Sequence, residues 1–308
     1  MSAEGLWAIT SYFNPAGYAN RLHNYATFRD RLDVPLLTVE LAWGEAPALG
    51  KEDADRLIQL AGGSVLWQKE RLLNLALAAL PPGCRYVAWI DCDLVFEEAD
   101  WHLGVREALQ RVRLVQPYEY VLDVDPGADP EHLATAPVLL ERESMASKHC
   151  RGARVDGVVQ SNMLKQYSPG HAWAARRDVL DQTGFYEGMI LGSGDFVMAT
   201  AAMGRHREIP RAYLMNDRQA AHYLTWARRF HEGVEGDLGV VPGRLFHLWH
   251  GDLADRGYDV RYEGLAGHRF DPHTDVAVAD GGPLRWSSEK PDLHEYAKSY
   301  FASRREDG

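Results

Sequence analysis

The sequence predicts an α/β fold, a single domain built on a mostly parallel sheet with flanking helices. Three observations lead there. Strand-like apolar runs alternate with amphipathic helical runs through the first hundred residues, the pattern of parallel strands joined by crossover helices. The 308 residues are 46% hydrophobic, enough for one large core and far from a disordered composition. No internal repeat and no clean linker cuts the chain in two.

The elements follow in order. LWAITSYF (6–13) is β-branched, aromatic and closed by Asn14-Pro15, so it reads as a buried first strand. ANRLHNYATFRDRL (19–32) spaces Leu22, Tyr25, Ala26 and Phe28 as an amphipathic helix. VPLLTVEL (34–41) is a second strand, and EDADRLIQL (52–60) a short helix. VLWQKERLLNLALAAL (65–80) is a strong helix ended by Pro81-Pro82-Gly83. RYVAWIDCDLVF then reads as a strand. From 117 to 160 the pattern weakens, and LDVDPGADPEHLATAP reads as loop. HAWAARRDVLDQTG (171–184) is a strand feeding a helix that closes at Gly184, GDFVMATAAMG (194–204) a buried helix, and GRLFHLWHG (243–251) a short aromatic strand ending near Trp249. DLHEYAKSYFASRRED is an exposed terminal helix.

Charge and cysteine content narrow the class. With 33 basic and 44 acidic residues the net charge is −11, which argues against general nucleic-acid binding. Cys84, Cys92 and Cys150 form no C-x-x-C pair, so neither a disulfide framework nor a zinc ribbon is expected. The N-terminus lacks the basic and apolar regions of a signal peptide, and the apolar stretch 72–80 is too short to span a bilayer. The chain reads as a soluble, cytoplasmic protein.

Asp91 and Asp93 carry the first chemical signal. On a strand, residues two apart face the same way, so both acids would stand together at a carboxyl end, where α/β sheets bind ligands. Paired carboxylates repel unless a proton or cation lies between them, and a hard divalent ion such as Mn2+ or Mg2+ carrying phosphate oxygens answers this. A surface turn would carry the same three letters by chance.

With its preceding strand, this D-x-D resembles that of the GT-A nucleotide-sugar glycosyltransferases, a Rossmann-like fold. QKERLLN (68–74) resembles the N-R-A-K-L-L-N helix of the β-1,4-galactosyltransferase family, placing Lys69, Arg71 and Asn74 on matching positions. LGSGD (191–195) is similar to that family's W-G-G-E-D, with Asp195 on the catalytic aspartate and Leu191 and Gly194 departing from the pattern, which implies a different acceptor. HLWHG (247–251) lies late in the chain, where such enzymes supply a histidine ligand. The likeness spans 6–265 as islands.

It implies residues 1–286 as the transferase domain, with 1–115 the nucleotide-binding half, 116–286 the acceptor half and 287–308 a helical tail. The reaction would be metal-dependent, inverting transfer from a UDP-linked sugar to a carbohydrate or other hydroxyl-bearing acceptor. Asp91, Asp93, His247 and His250 would hold the metal. His247 and His250 would point oppositely on a strand, which makes His250 the first choice. Thr10, Tyr12, Phe13, Asn14, Lys69, Arg71, Asn74 and Asp91 would bind the nucleotide sugar, and Gly192, Gly194 and Trp249 the acceptor. Asp195 reads equally as a helix N-cap or as a general base, with Asp156 the next candidate base. Trp173 and Tyr186 are sugar-platform or core residues, and Asp271, His273 and Asp275 belong to a loop without an assigned role. A sugar nucleotidyltransferase and a carbohydrate-binding protein without catalysis are the rival readings.

Overall fold

The computed structural model describes residues 5–44, 46–153, 167–258, 260–278 and 281–308. The elements, in chain order, are Leu6–Phe13 (β1), Ala19–Asp30 (α1), Leu36–Ala42 (β2), Arg56–Ala61 (β3), Lys69–Ala79 (α2), Tyr86–Ile90 (β4), Leu94–Phe96 (β5), Trp101–Arg111 (α3), Leu114–Gln116 (β6), Tyr120–Val124 (β7), Val138–Ser144 (β8) and Met145–Cys150 (α4). The second half adds Tyr167–Ser168 (β9), Ala172–Arg176 (β10), Arg177–Thr183 (α5), Gly194–Ala202 (α6), Asp217–Val234 (α7), Leu238–Val240 (β11), Arg244–His247 (β12), Arg261–Gly267 (α8), Val276–Val278 (β13), Leu284–Trp286 (β14) and Pro291–Ser303 (α9).

Seven strands form the main sheet in the order β11-β6-β10-β4-β1-β2-β3, parallel except for β10. This is the α/β architecture the alternation predicts. Successive side chains of each strand face opposite layers. Ile9, Phe13, Val87 and Trp89 pack beneath α2, α6 and α7, while Leu6, Ala8, Tyr12, Ala88 and Ile90 pack against α1 and α3. A second sheet, β5-β12-β7-β8-β9, stands beside the first.

Four readings of the sequence need correction. Residues 52–60 are not a helix: Lys51–Asp53 make one turn, and Arg56–Ala61 pair in parallel with β2 as an edge strand. Six of the seven β2 residues are buried, so that strand needs a neighbour on its open side. A short apolar run gives periodicity too little length to tell helix from strand. LDVDPGADPEHLATAP is not loop throughout: its first three residues, 122–124, end β7, which with β8 supplies the middle of the second sheet. The D-x-D is not on a strand: β4 ends at Ile90, and Asp91–Asp93 form the turn into β5. The terminal helix is not exposed. Its Leu293, Ala297, Tyr300 and Phe301 are buried, and Phe301 stacks on Trp67.

The residues after α9 fold back across the parallel-strand edge. The Asp307 carboxylate accepts the backbone N–H groups of Ala19 and Asn20 at 3.0 and 2.9 Å, capping α1, which has no side-chain cap of its own. Gly251 takes φ +92°, and a Cβ there would lie 2.7 Å from the Arg304 carbonyl, so this crossing requires glycine. No helix among the described residues is long and apolar enough to cross a membrane.

Candidate active site

A cavity of about 860 Å³ opens at the carboxyl edge of β1 and β4. Ser11 and Phe13 line it from the end of β1, Asp91–Asp93 from the turn after β4, and His247, Trp249 and His250 from the end of β12. Gly192, Ser193 and Asp195 close it at the start of α6.

The second sheet assembles its polar end. β12 lies between β5 and β7, with His247 in register with Leu94 and Asp123, and the Leu248 amide donates to the Asp93 carbonyl at 2.9 Å. The strand stops at His247, so His247 and His250 converge instead of pointing apart, with their Nε2 atoms 2.9 Å from each other. Ligand atoms of Asp93, His247 and His250 all lie within 4.8 Å of one another, as do those of Asp123, His171 and His247.

The protons of this cluster can be assigned from its bonds. Arg256 Nη2 donates to His250 Nδ1 at 2.6 Å, His250 Nε2–H donates to His247 Nε2, and His247 Nδ1–H donates to Asp123 at 2.7 Å. Arg142 also donates to Asp123, at 2.6 and 2.8 Å. Burial and then the adjacent Arg256 push the His250 imidazole down to about 4, which keeps it neutral. Burial alone would raise Asp123, but the hydrogen bond from His247, with the Arg142 charge, holds its carboxyl well below the usual range. One oxygen in the cluster lacks a partner among the described residues: Asp93 Oδ1 is buried and accepts no hydrogen bond from them. A buried carboxylate oxygen without a donor, beside two neutral imidazoles, is a donor set that fits a divalent cation. Asp93, His247 and His250 would hold such a cation, which would compete with a proton for the imidazoles.

Behind this cluster lies Glu306, which is fully buried. It accepts from Arg304 Nε at 2.6 Å, Arg21 Nη1 at 2.9 Å and Arg256 Nη1 at 3.5 Å, and its Oε1 is 3.7 Å from His250 Nδ1. Burial acts to raise its pKa, yet Arg21 and the groups around it hold the carboxyl well below the usual range.

On the opposite side, Lys69 at the start of α2 bridges two acids, Asp91 at 2.5 Å and Asp195 at 2.7 Å. Burial raises Asp91 to about 7 against the pull of Lys69, with Asp195 and Asp93 adding repulsion. Asp195 Oδ2 is committed to Lys69, while Oδ1 has no partner among the described residues. Asp195 is not the N-cap of α6. Ser193 occupies that position, in left-handed conformation at φ +73°.

The structure sorts the remaining expected residues. Lys69, Phe13, Gly192 and Trp249 line the cavity. Asp91 lines it too, but pairs with Lys69 and stands outside both groups of clustered ligand atoms. Thr10, Tyr12 and Asn14 do not line it. Thr10 donates to the Ile90 carbonyl at 2.6 Å, Tyr12 packs edge-on to Tyr25, and Asn14 closes a turn on Tyr18. Arg71 donates to the Gly282 carbonyl and Glu187, and Asn74 ties Phe185 and Glu187, so this face of α2 binds protein. Gly194 leaves room for a side chain of this chain and not for a ligand: a Cβ there would come 1.8 Å from Glu70 Oε1. Trp173 and Tyr186 are core, and Leu191 is buried. Asp271 and Asp275 are tied to Arg218 and Lys290, and the His273 ring meets that of His222. Asp156 lies outside the described residues.

Sequence reasoning missed Asp123, Arg142, His171, Arg256, Arg261 and Glu306. Asp123 sits inside an apolar strand, YVLDV, as the D-x-D follows one, and that was the signal available. Glu306 in SRRED carries none, because a charged terminus is ordinarily solvated.

No family model and no curated protein matches the chain. Among solved structures it is similar to glucosyl-3-phosphoglycerate synthase from Mycobacterium tuberculosis in complex with Mn2+, UDP-glucose and phosphoglyceric acid, at 12% identity over 89% of this chain and 83% of that one, TM-score 0.44. It is similar to a mannosyltransferase from Pyrobaculum calidifontis in complex with GDP-Man and Mn2+, at 13% identity over 97% and 73%, TM-score 0.42. It is also similar to 4-diphosphocytidyl-2C-methyl-D-erythritol synthase from Anaerococcus prevotii, at 12% identity over 79% and 90%, TM-score 0.34.

Proposed function

We propose that this chain is a metal-dependent glycosyltransferase that moves a sugar from a nucleoside-diphosphate sugar, UDP-linked, to an acceptor hydroxyl with inversion. The observation that carries the reading is the buried, unpartnered Asp93 Oδ1 beside the Nε2 atoms of His247 and His250, at the wall of a cavity of about 860 Å³. That volume suits a nucleotide sugar. Asp93, His247 and His250 hold the ion, and two imidazoles favour Mn2+ over Mg2+. When bound, the ion supplies Lewis-acid charge for the departing diphosphate.

The chain's own residues do the rest. Residues 1–115 hold the donor, with Phe13 and Lys69 on the cavity wall, and residues 116–286 hold the acceptor, with Gly192 and Trp249. The tail, 287–308, braces the metal ligands through Glu306. The acceptor oxygen bonds to the anomeric carbon as the bond from that carbon to the diphosphate oxygen breaks, and the electron pair leaves on the diphosphate. The acceptor proton goes to Asp195 Oδ1, and Lys69 holds the carboxylate in place through Oδ2.

The test is calorimetry of UDP with Mn2+ and with chelator. UDP should bind more tightly with Mn2+, and Asp93→Asn should remove most of that gain. Equal affinity with Mn2+ and with chelator defeats the proposal. Preference for a nucleoside triphosphate over UDP favours a nucleotidyltransferase.

A further inference from the structure

Arginines line the cavity at five positions: Arg21, Arg142, Arg256, Arg261 and Arg304. Four of them face a carboxylate of the chain. Arg21, Arg256 and Arg304 converge on Glu306, and Arg142 on Asp123. Arg261 is the exception, with no carboxylate within 4.0 Å among the described residues, although it is only 5% exposed. Its Nη1 donates to the Tyr300 hydroxyl at 2.6 Å and its Nη2 to Ser193 Oγ, while its Nε is buried without a partner. The rings of Tyr258, Tyr262 and Tyr300 surround the guanidinium at 4.6, 5.4 and 5.5 Å.

A buried guanidinium without a countercharge is costly. Aromatic faces and two hydroxyls fix its orientation but leave the charge unpaired. The bond to Ser193 places it two residues before Asp195, at the start of α6. It is not bonded to Asp93, His247 or His250; there Arg256 bonds His250, and Arg142 bonds Asp123 beside His247.

We infer that Arg261 is the anion-recognition residue of the acceptor site, and that the acceptor carries a carboxylate or phosphate beside the hydroxyl that receives the sugar. This rests on the transferase reading. The planar guanidinium fork matches either anion. Ser193 ties Arg261 to the start of the helix that carries Asp195, and both residues line the cavity, so one would neutralise and orient the acceptor while the other takes the proton. A neutral sugar would leave the guanidinium unpaired, and the site discriminates against it.

Calorimetry on protein loaded with Mn2+ and UDP tests this with three probes: glycerate, glycerol phosphate and glycerol. At least one anion should bind about ten-fold or more tightly than glycerol, and which one does so names the anion. Arg261→Gln should abolish that preference while UDP affinity stays at the parental value. Tyr300→Phe, which removes one hydroxyl holding the guanidinium and almost no volume, should weaken anion binding several-fold in a protein that still binds UDP. Equal binding of the three probes overturns the inference, as does an Arg261→Gln variant that keeps the preference. A fall in UDP affinity matching the loss of anion binding moves Arg261 to the donor and overturns it also. If the parent protein does not bind UDP with Mn2+, the transferase reading fails first and takes this inference with it.

Discussion

Lys69 between Asp91 and Asp195 concentrates the residue-scale chemistry. Asp195→Asn keeps an oxygen for the Lys69 ammonium but cannot take a proton. Transfer should fall by about 10²–10⁴ with UDP affinity near parental. Because Ser193 holds the N-cap position, the variant's melting temperature reports only the weakened lysine bridge. A parental transfer rate would remove Asp195 from the mechanism and make Asp91 the next acid to test. Next to Lys69 in the chain, Glu70 gives a pH signature. Burial raises its carboxyl from 4.5 to about 8 despite Lys69, and Oε1 has no partner. Below 4.5 both folded and unfolded chains hold this proton, and the stability it confers is fully present. Above 4.5 the unfolded chain releases it while the folded chain keeps it, so stability falls with rising pH until the folded acid ionises near 8. Glu70→Gln escapes this loss. Its advantage in urea melts should be small at pH 4.5 and on the order of 4 kcal/mol at pH 8. A constant difference across that range would show that the acid is not buried neutral.

At the scale of elements, the site is made where strands stop. β4 ends at Ile90, before the acids the composition would carry on the strand, and β12 ends at His247, two residues before Trp249; the turns that follow bring Asp93 against His247 and His250. The short runs 56–61, 120–124 and 138–144 became strands because each had a neighbour with an open edge, a fact outside any local window. The tail illustrates the same point. Its alternating charges read as a solvated helix end, yet Glu306 is fully buried among three arginines. Glu306→Ala strands those charges and should cost about 3–5 kcal/mol in denaturant melts. Since Arg256 ties Glu306 to His250, Mn2+-dependent UDP affinity should fall as well. Loss of stability with unchanged metal-dependent binding would confine the tail to a purely structural part.

Across the whole molecule, charge is partitioned. The chain carries −11, but the cavity gathers five arginines and one lysine around its acids. The proposed anionic donor and acceptor would then be attracted locally by a protein that repels polyanions at large. Ligand binding should appear in global stability. UDP with Mn2+, at about 100 times its dissociation constant, should add about 2.7 kcal/mol and raise the melting temperature by several degrees. UDP alone should give less, and the same shift with chelator present would exclude the metal from the site.

The sequence by itself determined the class of fold. Long apolar runs of strand and helix period are local properties, and they placed β1, α1, β2, α2, β4, β10 and α6 within a few residues of where they lie. It also singled out Asp93, His247 and His250, because acids and histidines beside apolar strands are conspicuous in any window, and Lys69 and Asp195 through the resemblance of QKERLLN and LGSGD to known motifs. Only the tertiary structure decided which of these meet. Asp91 turned to Lys69 and Asp93 to the histidines because the D-x-D is a turn, where side chains two apart need not share a face. Arg71 and Asn74 were drawn into protein contacts because Glu187 and Phe185 lay opposite α2. Arg261 and Glu306 were invisible in the sequence because their meaning is electrostatic: among the described residues one buried cation lacks an anion and one buried anion holds three cations, and charge balance is a property of space, not of spacing along the chain.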